Sequence, residues 1–184
     1  MAATTITRTE QVLAAVQSNH RATTDLEIER LLLAVQWADL NPGEEPDPDA
    51  EWATHELPLA GQGAPTIDES AAAEFALAVG MKHESGLRYL GDALELCYRL
   101  PRIWARVMSG EVPVWKARRI AEATKLLSMD AAAAVDQHLA VVAKRCSWAE
   151  LARQVDRARA EFDPEEAERR RLVEAEQRCV RVEY

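Results

Sequence analysis

Apolar positions along this chain recur at three- and four-residue spacing, and runs that alternate apolar with polar residues are few. That periodicity is the mark of amphipathic helices whose one stripe faces a core. Over residues 24–40, Leu31, Ala34, Val35, Trp37 and Ala38 make such a stripe, and the stretch EQVLAAVQS before it is able to add two turns. Asn41-Pro42-Gly43 stops the helix. Residues 41–66 then carry five prolines, three glycines and a run of carboxylates without apolar periodicity, which reads as a solvated linker. Glu44, Glu45, Asp47, Asp49 and Glu51 lack the glycine and ligand spacing of a calcium loop.

Beyond this acidic loop the helices are punctuated by caps. From Asp68 two helices are expected with a break at Gly80, where Ala76, Leu87 and Leu90 fit a helix-turn-helix only loosely. An ordinary αα-hairpin needs the same parts, so both readings stand. Pro101 and Gly110 bracket the next helix, and Pro113 opens another, on which Ala117, Ile120, Ala121, Thr124 and Leu127 point inward. Ser128 and Asp130 open a helix with a core stripe of Val135, Leu139 and Val142. Ser147 and Glu150 form a capping box for a helix that turns Leu151, Val155 and Phe162 inward. A last, highly charged helix is expected from Asp163-Pro164, before the closing VRVEY. The fold class is all-α: a multi-helix bundle of αα-hairpins with a long N-terminal helix and an acidic Pro/Gly-rich loop. The expected division is an arm and linker at 1–65, a helical core at 66–162, and a charged helix at 163–184 leading toward a further module.

Composition agrees, being rich in Ala, Leu, Glu and Arg, with only 7 glycines and 2 phenylalanines in 184 residues. No apolar run reaches the roughly 20 residues that span a bilayer, and the N-terminus lacks the pattern of a secretory signal. Cys97, Cys146 and Cys179 are odd in number and widely spaced, so reduced thiols and a cytoplasmic address are expected. Charge is unevenly shared. Of a net charge of -9, residues 1–75 hold -11 (3 basic, 14 acidic) and residues 76–184 hold +2 (19 basic, 17 acidic). The basic excess concentrates at 99–125, where seven Arg and Lys side chains oppose only Glu111 and Glu122.

Helical phase sets these bases on faces the core does not need. Arg99, Arg102, Arg106, Lys116, Arg118, Arg119 and Lys125, with Trp115, are the candidate nucleic-acid-binding residues. The cations would meet phosphates, and Trp115 would support Arg119 by stacking or meet an unpaired base. The competing reading is an ordinary wet surface, with Arg118 and Glu122 paired one turn apart.

The segments AEFALAVGM, GDALELCYRLPRIWARVMSGEVPVWKARRIAEATKLLS, AAAAVDQHLA and FDPEEAERRR, in this order, resemble the actinobacterial 13E12-repeat family. Its members carry a helical domain of unknown function, number 222, before an HNH endonuclease module. The resemblance implies an accessory domain of a nuclease-type protein that engages DNA. It implies a divalent metal only for an HNH module outside this chain. Here His20, His55, His83 and His138 stand alone and no C-x-x-C occurs, so no catalytic residue, metal ligand or cofactor is expected within these residues. The alternative from another class is an interaction module that forms a homodimer or packs on its own nuclease module without touching nucleic acid.

Overall fold

A computed structural model describes residues 7–43, 56–164 and 168–169. The expected acidic cluster at 44–51, most of the charged helix after Pro164, His55 and Cys179 lie outside the described residues. Among the described residues seven α-helices run: α1 (Arg8–Leu40), α2 (Glu69–Ala78), α3 (His83–Leu94), α4 (Pro101–Met108), α5 (Val114–Thr124), α6 (Met129–Val142) and α7 (Trp148–Phe162). The protein is all-α, with one small antiparallel ribbon of β1 (Glu56–Leu57) and β2 (Ile67–Asp68).

Local chemistry sets these limits. Thr7 and Glu10 form a reciprocal capping box at the start of α1. The Asp68 carboxylate accepts from the Ala71 N–H to open α2, and Ser128 does the same for α6. Ser147 accepts from the Glu150 N–H, but the Glu150 carboxylate turns to Arg153 and Gln154, so only half of the expected capping box forms. Gly80 and Gly110 adopt positive φ (66° and 73°), the conformation that closes a helix end with little cost for glycine alone.

α1 runs unbroken for 33 residues, far past the expected two extra turns. Only its second half meets the body, where Leu31, Ala34, Val35 and Ala38 are buried. The core continues through Leu90, Leu94, Leu100, Ile103, Val107, Ile120 and Leu139, so it draws on residues from both sides of position 65. α2 and α3 cross closely because Gly86 lies against Ala76; a Cβ on Gly86 would sit 2.3 Å from the Ala76 Cβ. Two core expectations fail. Val142 and Phe162 are exposed, because α6 and α7 end where no further helix covers them among the described residues. Part of the expected linker is packed too, since Leu57, Leu59 and Ala60 lie half-buried against the core.

Between α3 and α4 the chain winds as a π-helical stretch, Glu95–Arg99. Pro101 follows, and having no N–H it cannot extend the α-helical ladder through this junction. The wider turn aims Glu95 and Arg99 into the core, where both are fully enclosed.

Candidate nucleic-acid interface

The eight candidate residues fall into four surroundings. Arg99 is a core residue, 2% exposed, and not part of a surface. Its guanidinium donates to Glu95 Oε1 (2.6 Å) and to the carbonyls of Thr124, Leu127 and Ser128. Glu95 also accepts from the Thr124 hydroxyl (2.7 Å) and the Gly61 N–H (2.9 Å). This network ties the π-helical stretch to the end of α5 and to the loop after β1. The sequence could not place Arg99 because a π-helical turn shifts its phase relative to an α-helix.

Arg118 and Lys125 converge on one buried carboxylate, Asp92 of α3, each at 2.9 Å. Arg118 also lies 4.4 Å from the centre of the Tyr89 ring. Its expected surface pair with Glu122 is replaced by this α3–α5 bridge. Burial raises the Asp92 carboxyl above its ordinary value, while Lys125 and then Arg118 pull it back.

On α4, Arg106 pairs with Glu111 (2.9 Å) across the Gly110 turn, and Arg102 is exposed beside Asp136 of α6. Asp136 caps α4 from outside, accepting the backbone N–H groups of Arg102 (3.0 Å) and Ile103 (2.9 Å). Those N–H groups have no partner within their own helix.

The fourth place is an edge where α5 meets the start of α7. Trp115 and Trp148 are 58% and 43% exposed, yet their rings meet edge-on at 6.0 Å. The Arg119 guanidinium stands 5.2 Å from the centre of the Trp148 ring. Lys116 is buried, and its Nζ donates to the Lys144 carbonyl (2.9 Å), which pins the turn before α7 against the start of α5. Lys144 and Arg145, both exposed, belong to that turn, four and three residues before Trp148. Tryptophan joins a large apolar ring to a polar N–H, which suits it to partly wet binding surfaces. Next to them runs a groove of about 470 Å³ between α5 and α7, lined by Leu126, Leu151 and Val155 with Arg119, Glu122 and Asp156 at its rim.

The fold therefore brings together Trp115 and Arg119 from the candidate set and adds Trp148, Lys144 and Arg145. These three lie some thirty residues further on (115 to 148) and share no helix with the basic segment. One sequence signal pointed at them: a tryptophan directly after a capping serine, following Lys144 and Arg145.

Among the described residues, no group of three or more His, Cys, Asp or Glu side chains is placed to hold a metal ion. Among them too, no helix is long and apolar enough to cross a membrane. The chain is thus an all-α domain with an exposed aromatic and basic edge. Its family follows from the match to a family model, Domain of unknown function (DUF222), over residues 52–184: the chain belongs to that family. α1 precedes the matched range. No curated protein matches the chain, and no solved structure does.

Proposed function

We propose that this domain engages DNA through the edge formed by Trp115, Arg119 and Trp148, with Lys144 and Arg145 beside it, as a non-catalytic accessory domain of an HNH-endonuclease-type protein. The observation that carries the proposal is the exposed pair of tryptophans with an arginine against one ring. An open aromatic face binds any unstacked base, and neighbouring cations bind the phosphates, so such an edge favours single-stranded or locally opened DNA without reading sequence. Arg102, exposed, and Arg106, half-buried and paired with Glu111, are the remaining candidates on α4; Arg99, Lys116, Arg118 and Lys125 are committed to internal partners and support the fold that carries the edge.

The nuclease context rests on the resemblance to the actinobacterial 13E12-repeat proteins. In that context catalysis and its divalent metal belong to the HNH module, and these residues position the substrate strand. A cytoplasmic site of action accords with Cys97 and Cys146, which are free thiols here.

The apolar floor of the α5–α7 groove favours a second reading, in which the same edge docks on a protein module instead. Fluorescence anisotropy with labelled single-stranded and duplex DNA at about 50 and 200 mM salt separates the two. The DNA reading expects single-stranded binding that weakens with salt. No binding of either form at the lower salt contradicts it.

A further inference from the structure

The first half of α1 has no place in the body of the protein. Every residue from 7 to 23 is exposed, so about sixteen residues of helix stand in water on all sides. A helix of that length is marginal alone. The outward residues of α1 as a whole are nevertheless not those of a solvated helix. Val12, Leu26, Leu33 and Leu40 are 59%, 62%, 53% and 79% exposed, and together with Asn19 they recur every seven residues through the whole of α1. Val16, also exposed, sits in the neighbouring row with Thr23, Arg30 and the half-buried Trp37. This is a heptad seam, and apart from Trp37, which borders the core and donates to the Ala71 carbonyl, it lies on a face different from the one that Leu31, Ala34, Val35 and Ala38 bury.

We propose that a second copy of this chain covers the seam, its α1 packed antiparallel against this one. Charge decides the direction. The free half, residues 8–23, carries Arg8, Glu10 and Arg21, net +1; residues 24–40 carry Asp25, Glu27, Glu29, Arg30 and Asp39, net -3. Antiparallel pairing lays the positive half of each helix on the negative half of the other. It also opposes the two helix dipoles favourably. Parallel pairing would set Arg30 against Arg30 within the seam.

Centred between residues 24 and 25, the antiparallel register places Val16 opposite Leu33 of the second copy and Val12 opposite its Trp37. Asn19 then meets Arg30, so the polar residue of each seam faces the other's. Each free half gains an apolar floor on its partner, and the two bodies stand at opposite ends of a shared stalk. A seam of 33 residues, about 50 Å, draws roughly 20 residues from each copy, near the 20–30 a side of a stable interface. The inference stands apart from the nucleic-acid reading.

Sedimentation of the full chain at about 100 μM, well above the micromolar range of weak dimers, tests it. The mass expected is twice the 20.5 kDa of one chain, falling to one chain in Leu26→Glu/Leu33→Glu with helicity of the body retained. Both leucines are exposed in the single copy, so that variant removes the seam without opening the core. Oxidation then reads direction. A mixture of Val16→Cys and Leu33→Cys chains should crosslink one to the other, with no gain over wild type for either alone. A monomeric wild type, a dimer that survives the double Glu variant, or crosslinking within each single variant would overturn the proposal.

Discussion

Arg99 and Glu95 make an exacting demand on the fold, because both charges are withdrawn from water completely. Removing one partner strands the other, which costs about 3–5 kcal/mol. We therefore expect Arg99→Ala to lower the urea unfolding free energy by about that amount, far more than an exposed arginine such as Arg102. Gly61 is bound to the same network: a Cβ there would fall 1.8 Å from Arg99 Nη1 and 2.4 Å from the Lys125 carbonyl, so Gly61→Ala should destabilise in the same assay. Asp136 gives a pH signature. Burial holds its carboxyl above the ordinary value, against the pull of the Ile103 and Arg102 N–H groups. A raised acid binds its proton more readily folded than unfolded, so its contribution is fullest below the ordinary carboxyl pKa and declines as pH rises through the folded one. The stability of wild type relative to Asp136→Asn should be greater near pH 3.5 than near pH 7, read from paired urea curves (the ordinary aspartate value is about 3.9).

At the scale of elements, the α2–α3 crossing sets two ordinary effects against each other. Alanine in place of a mid-helix glycine gains about 0.5–1 kcal/mol in propensity. At Gly86 the new methyl would meet Ala76 at 2.3 Å, and overpacking of that kind costs about 1–3 kcal/mol. The crossing wins, so Gly86→Ala should lower the thermal midpoint, and Gly86→Ala/Ala76→Gly should restore part of it. The same elements show what was legible in the sequence. Stripes at helical spacing located the helices, and capping serines, prolines and glycines located their ends. The π-helical stretch was not legible, since nothing in ELCYR distinguishes it from a further α-turn. Nor was the full length of α1, whose first half shows no core stripe because it has no core to face.

At the scale of the molecule, the charge that made residues 99–125 conspicuous is mostly spent inside. Arg99, Arg118, Lys116 and Lys125 hold α3, α5 and the loops together, which a count of charges along the sequence cannot reveal. Trp148 escaped notice for the opposite reason. It becomes a neighbour of Trp115 only when Lys116 seats the α6–α7 turn, a contact between segments 28 residues apart. An acidic chain of net charge -9 with one small basic edge should bind DNA with a shallow salt slope, of about two to four phosphates, and Arg119→Ala should reduce that slope by about one.

Single-stranded DNA anisotropy of Trp148→Ala at about 50 mM salt, beside Arg102→Ala/Arg106→Ala, separates a stacking edge from a merely basic surface. Loss of one stacking platform is worth about 1–3 kcal/mol, so affinity should fall about tenfold with a cooperative urea transition retained, while the α4 variant loses less and mainly in its salt dependence. Wild-type affinity in Trp148→Ala, with the fold intact, would contradict the account.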